Sequence, residues 1–278
     1  MNHIFARTVG LVVFFMGWAV AANPARVSES IHLSDDFESQ ALSPDNWWLG
    51  QARTEKYWVD RTISRRGQHA VAIQASPDMR GCGNNCQRNE IRTSTSHRIQ
   101  FGREAWYSFS FRIEGDLPVA KNTRWISGQW KQDTDGSPFL SQRFDRGVFH
   151  LSVHDEDCRV LIAKAGGDLE DIGTTIDTGK IDKHAFHANK QTYRCDTDLI
   201  VEPGKNPILP DPYRNWVDMT YRVRGGLGGT GLIEVWANKR FIVRVRGSIG
   251  YREVSGPNQF FKFGIYRDLM PGTTTVYF

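Results

Sequence analysis

Phe260-Phe261-Lys262-Phe263-Gly264-Ile265-Tyr266-Arg267 decides how the rest of the chain reads. The stretch is too apolar and aromatic for a loop, and its pattern is that of a β-strand. Side chains alternate faces along a strand. Phe261, Phe263 and Ile265 therefore share one face, suited to a core. Phe260, Lys262, Gly264 and Tyr266 share the other. That face holds an ammonium and a phenol in line, with a glycine between them that leaves room for something to approach the backbone. A strand packed on one side and chemically equipped on the other predicts a groove built on a sheet.

Two more stretches read the same way. In Gln87-Arg88-Asn89-Glu90-Ile91-Arg92, the residues Arg88, Glu90 and Arg92 share a face, and one carboxylate can hold two guanidiniums by charge-assisted hydrogen bonds. In Trp125-Ile126-Ser127-Gly128-Gln129-Trp130-Lys131, strict alternation puts Trp125, Ser127, Gln129 and Lys131 on one face, with Ile126 and Trp130 on the other. A single surface charge is usually an ordinary solvated side chain. Three strands that each present cations and amides at period two predict a concave, cationic trough, which suits an extended polyanion.

The chain has 278 residues, enough for one large β domain, and its 26 Gly, 9 Trp and 16 Phe favour strands, turns and aromatic surfaces. Net charge is only +4, so placement of charge matters more than its sum. Nothing in this balance points to nucleic acid. Arg7, the apolar run Val9–Met16 and Ala19-Val20-Ala21 have the order of a secretory signal peptide. Residues 1–21 are read as that signal, 22–30 as a flexible lead-in and 31–278 as the domain. A secreted or periplasmic protein is expected, with no membrane segment after cleavage. Four cysteines in an exported chain predict two disulfides, Cys82–Cys86 around a tight loop and Cys158–Cys195.

Further strands are expected at Ala70–Ala75, Ala105–Ile113, Gly147–Val153, Val160–Ala163, Trp216–Arg224, Gly231–Ala237 and Arg240–Val245. The Gly225–Gly229 run lacks the lysine and helix of a phosphate loop and reads as a hairpin turn. Gly166–Pro212 is a long polar excursion, of the kind that is often functional. The chain stops inside what reads as a strand, Thr275–Phe278. No helical periodicity is sustained. The sum is an all-β chain folded as a two-sheet antiparallel sandwich.

Arg-x-Glu-x-Arg, then Gln-x-(basic), then Lys-x-Gly-x-Tyr, in that order, resembles the jelly-roll polysaccharide lyases. The motifs are similar to those of alginate lyases. The closer resemblance is to the heparin-lyase-like family of exported bacterial proteins, through Ile126–Trp130, Gly231–Lys239 and Phe261–Arg267. It covers most of the chain from about Ile31. It implies a concanavalin-like jelly roll, a monomer that acts on an acidic, uronate-containing polysaccharide by β-elimination, and no required cofactor, calcium being the one ion to test.

The resemblance implies roles as well. Tyr266 is the proton-transferring residue, and a free phenol, which ionises near ~10, needs cations close by to act as a base. Lys262, Gln129 and Arg92 complete the expected catalytic set. Arg88, Glu90, Lys131, Trp125, Arg267 and His150 are expected around the substrate, with Glu90 orienting the arginines. The family's usual histidine after the glutamine is Lys131 here, and the first tyrosine of its last motif is Phe260. These departures motivate an alternative, a carbohydrate-binding protein of the same fold without catalysis; His150 or His154 are the histidines placed to supply a base instead. A glycoside hydrolase ranks last, because no facing pair of carboxylates is apparent. Asp133-Thr134-Asp135-Gly136 and Asp155-Glu156-Asp157 read as turn and loop acids rather than calcium sites. His184 and His187 are weak as a metal pair, having neither a helix nor a third ligand.

Overall fold

The computed structural model describes residues 33–278 apart from 40, 51, 83, 118–123, 157 and 167–196. The expected signal and lead-in, Cys195, His184 and His187 lie outside the described residues. Among the described residues, sixteen strands follow in chain order. They are β1 (Trp47–Trp48), β2 (Tyr57–Asp60), β3 (Ala70–Ala75), β4 (Cys86–Thr93), β5 (Ile99–Gln100), β6 (Ala105–Gly115), β7 (Trp125–Gln132) and β8 (Leu140–Asp145). Then come β9 (Val148–Asp155), β10 (Cys158–Lys164), β11 (Ile200–Pro203), β12 (Val217–Arg224), β13 (Gly226–Ala237), β14 (Arg240–Ile249), β15 (Asn258–Asp268) and β16 (Thr274–Tyr277). Two single 3₁₀ turns, Thr54–Lys56 and Thr95–His97, are the only helical segments among the described residues.

The strands form two eight-stranded antiparallel sheets. Sheet one runs β1-β4-β15-β7-β8-β9-β10, with β5 pairing to one end of β15. Sheet two runs β11-β14-β13-β12-β6-β16-β3-β2. The late strand β15 thus lies between two early ones, β4 and β7, and brings three distant motifs into register.

Alternation builds the core between the sheets. Phe261, Phe263 and Ile265 of β15 turn inward, as their period-two spacing predicts, and are buried with Trp130, Tyr221 and Phe111. Phe261 packs on Phe109 and Trp130 with ring centroids 5.2 and 4.7 Å away. Burying large rings from both sheets is the main source of stability, at about 25 cal/mol per Å² of apolar surface.

Strand β7 departs from strict alternation. Its register shifts against β8 between Ile126 and Gly128, and against β15 between Phe263 and Tyr266. An extra residue in a ladder turns every later side chain to the other face. Trp125 therefore points into the core, 1% exposed, with its ring 4.4 Å from Phe144. Ile126 takes the place opposite Tyr266. This corrects the expectation that Trp125 faces the groove.

Gly264 sits at φ +126°, and a Cβ there would lie 2.4 Å from the carbonyl oxygen of Asn89. The room that this glycine leaves is filled by the backbone of β4, not by a ligand. Cys82 and Cys86 are bonded across their tight loop. Cys158 is also disulfide-bonded, and Cys195, its expected partner, is not among the described residues.

Candidate active site

Register assembles the site on the outer face of sheet one. One row runs across five strands: Trp48, Arg92, Lys262, Gln129 and Ser141. A second outward-facing row, four residues along β15 from the first, runs Arg88, Tyr266, Ile126, Arg143 and His150. Between them Gly264 faces Glu90. Phe260 stands opposite Lys131 at the far end.

Glu90 is the hub. Its side chain is 2% exposed, and it accepts Arg88 Nε at 2.5 Å on one oxygen. Its other oxygen accepts the Gln129 amide. Arg88 in turn lays its guanidinium on the Tyr266 ring, 4.8 Å from the centroid. Arg124 approaches the same ring at 4.4 Å while bonded to Asp268. Two guanidiniums thus lie against the one phenol. A negative charge developing on its oxygen would be stabilised there.

The amines are held under strain of a different kind. Lys262 is 4% exposed, and burial, opposed by Glu90 but reinforced by Arg88, Lys131 and Arg92, pulls its pKa down to about 8. Burial also lowers Lys131, with Arg88 acting in the same direction. Arg92 is stacked on Trp48 at 3.7 Å and approaches Phe260 at 5.4 Å; burial lowers its pKa too, and Arg98 adds to this. Crowded, partly dehydrated cations of this kind favour an incoming anion.

Residues 40–278 match the family model described as "Polysaccharide lyase". The chain belongs to the polysaccharide lyase family. Among solved structures, an endo-β-1,4-glucuronan lyase from the fungus Trichoderma reesei is similar over 86% of this chain and 93% of its own, at 12% identity and a TM-score of 0.52. A family 7 alginate lyase, A1-II′, solved with substrate, is similar over 81% of this lyase and 79% of its own length, at 12% identity and a TM-score of 0.47. An alginate lyase from Corynebacterium sp. is similar over 81% and 80%, at 12% identity and a TM-score of 0.44. At these identities the first likeness speaks to the jelly-roll fold. A search of the curated proteins found no match.

Within the lyase, the structure brings together Arg88, Glu90, Arg92, Gln129, Lys131, Lys262 and Tyr266. It sets three expected residues apart. Trp125 is in the core, as described above. Arg267 is fully buried on the face opposite Tyr266, where it donates to Gln87 at 2.7 Å, Thr274 at 2.6 Å and the carbonyls of Ala75 and Gly272. An odd offset from Tyr266 puts it there, and it ties β15 to its neighbours instead of meeting substrate. His150 is also fully buried, and burial pushes its pKa well below the usual imidazole value. Three strand spacings separate it from Tyr266, roughly 14 Å, so it is not a base for the same reacting atom. His154 lies on that remote strand too, beside Arg159 at 3.1 Å.

Sequence reading missed Arg124, Trp48 and Arg143. Trp48 had a legible signal, since Trp47-Trp48 must send one indole in and one out. Arg124 precedes β7 and carried none. Among the described residues no group of three or more His, Cys, Asp or Glu comes together as a metal site. Asp133 is engaged by Arg98 at 3.0 Å, and Asp155 by the Cys158 amide and Thr197. No helix among the described residues is long and apolar enough to cross a membrane.

Proposed function

We propose that this protein is an exported lyase that cleaves a uronate-containing polysaccharide by β-elimination, with Tyr266 moving the proton. The observation that carries this reading is the gathering of Arg88, Lys131 and Lys262 about the buried Glu90 carboxylate, with Arg88 and Arg124 laid on the Tyr266 ring and Arg92 beside Lys262. A uronate carboxylate placed against the Gln129 amide and these cations has its charge neutralised. The proton on the adjacent ring carbon is then acidic enough to leave. Tyr266, as phenolate, takes it; the electron pair forms the C4–C5 double bond; the C4–O4 bond breaks, and the leaving oxygen receives the proton back from Tyr266. Arg88 and Arg124 against the ring stabilise the charge while it resides there. Glu90 fixes Arg88 and Gln129 and transfers no proton. Export rests on the charged, apolar and small-residue order of residues 1–21.

The printed names of the similar structures, glucuronan lyase and alginate lyase, and the heparin-lyase-like motifs set the panel of polymers to be tried. Formation of an unsaturated product, followed in the ultraviolet on each polymer, tests the reading. Tyr266→Phe is expected to lower turnover by roughly 10²–10⁴-fold with the fold intact by circular dichroism. Undiminished turnover in that variant removes Tyr266 from the mechanism. Lys131 in place of the family's usual histidine favours a second reading, a binding protein without catalysis. Retention of a uronate polymer with no unsaturated product from any of them would decide for it.

A further inference from the structure

The outer face of sheet two has no part in this chemistry, yet it is built with care. Trp106 projects from it, 59% exposed, near the start of a regular strand. Exposed indoles are ordinarily loose, and this one is held in three ways. It stacks on Trp236, ring centroids 5.6 Å apart and planes 21° from parallel. Its side chain is hydrogen-bonded to Glu104. Arg222 lies 5.7 Å from its ring centre and is bonded to Glu104 at 2.9 Å. Trp236 is braced in turn by Phe241 at 5.7 Å.

The surroundings are laid out in register. One row crosses five strands as Trp106, Arg222, Glu234, Arg244 and Glu202. The next holds Ser108, Thr220 and Trp236, and the two hydroxyls are 3.3 Å apart. Arg224 and Arg246 flank the first row on its other side, and Arg246 reaches Glu202. The face therefore carries a stacked indole pair with Trp106 as its exposed member, bordered by hydroxyls and by fixed guanidinium and carboxylate groups. Its four guanidiniums outnumber its three carboxylates, so the small residual charge is positive.

We propose that this face is a second polysaccharide-binding surface, on which Trp106, backed by Trp236, stacks against a sugar ring of the polymer whose cleavage is proposed above. The apolar face of a pyranose matches an indole, and its hydroxyls match ion-paired Arg and Glu side chains, which offer donors and acceptors already held in place. The residual positive charge suits an acidic chain. The inference rests on the uronate lyase reading for the identity of the polymer, but not for the existence of the platform. A polymer held on the sheet opposite the reacting groove is kept near the enzyme between cuts, which raises its effective concentration there.

The test uses the full chain carrying Tyr266→Phe, so that polymer stays uncut, with and without Trp106→Ala. Retention of each protein is measured in gels cast with glucuronan, alginate or heparin. Trp106→Ala is expected to weaken retention roughly tenfold on the polymer that the lyase cleaves. In the Tyr266 background the same substitution is expected to leave turnover of short oligosaccharides unchanged. Retention unaltered by Trp106→Ala on every polymer overturns the proposal. So does sedimentation that shows a dimer of the parent protein and a monomer of the variant, which would assign the face to a second copy. Lost retention without any unsaturated product from the parent enzyme would sink the lyase reading and leave the platform standing.

Discussion

On the outer face of sheet two, Arg222, Arg244 and Arg246 each meet a carboxylate: Glu234 at 3.0 and 2.6 Å for the first two, and Glu202 for the third. On the outer face of sheet one, Arg88, Lys131 and Lys262 gather around Glu90, with Asp135 acting on Lys131 as well, and Arg92 is held mostly by rings. Both faces write Arg, Glu and aromatics at period two. Cross-strand register decides what the letters mean. Where cation faces anion, the sheet neutralises itself: the buried Glu234 carboxylate is met by two guanidiniums that stay partly in water, at little net cost. Where cations face cations and are dehydrated, the fold carries an electrostatic cost that an anionic ligand relieves. That contrast, more than the motif match, is the reason to propose sheet one as the reacting face.

The largest expected effect comes from breaking the crowded side. Arg88→Ala removes the guanidinium from the Tyr266 ring and one of the two partners of Glu90. Turnover is expected to fall roughly 10²–10³-fold, the usual loss when one group that stabilises developing charge is deleted. Arg88→Lys keeps the charge but not the fork or the stacking, and is expected to recover only part of it. Product formation in the ultraviolet measures both. Full activity in Arg88→Ala would mean that the field around Tyr266 comes from elsewhere, Arg124 being the nearest alternative.

How much of this was legible beforehand follows from the same register argument. Phe261, Phe263 and Ile265 were readable as core, and Arg88, Glu90 and Arg92 as one polar face, because β4 and β15 pair without a shift. Trp125 was misread because one irregular step in β7 exchanges it with Ile126, and nothing in the local sequence announces the shift. Arg267 was misread through the motif it belongs to. Its odd offset from Tyr266 already placed it on the other face. The Trp106–Trp236 pair was invisible for another reason: each indole sits on a clear strand, but their contact depends on pairing between segments far apart in the chain.

A smaller effect is expected at Lys262, and with the opposite sign from most core substitutions. Its pKa in the folded protein is about 8, below the usual 10.5, chiefly because burial disfavours the ammonium. Between those values the unfolded chain holds more protons than the folded one, so stability rises with pH across that window. Below about 8 the full cost is present. Lys262→Met removes the charge and keeps the volume. It is expected to stabilise the protein at neutral pH by on the order of 2 kcal/mol, a gain that fades as pH rises toward 10.5, while turnover falls. Urea unfolding at neutral and alkaline pH reads the first effect, and the product assay reads the second. A variant destabilised at neutral pH would show that the ammonium is compensated where it lies, and the contrast between the two faces would weaken.

The smallest effect is expected on the paired face, and it is the control on which the comparison depends. Arg244 is 45% exposed and bonded to Glu234 at 2.6 Å. Arg244→Ala does not orphan Glu234, which still accepts Arg222 at 3.0 Å. What is lost is two ion pairs of a half-exposed guanidinium, to Glu234 and at 3.7 Å to Glu202, together worth about 0.5–1 kcal/mol in urea unfolding. Turnover should be untouched, since no group on sheet one moves. A loss above about 2 kcal/mol would mean that the ladder Arg222–Glu234–Arg244–Glu202 behaves as a dehydrated network. The charges of both faces would then be costly to disturb, and the sparing use of carboxylate around Tyr266 would no longer set that face apart.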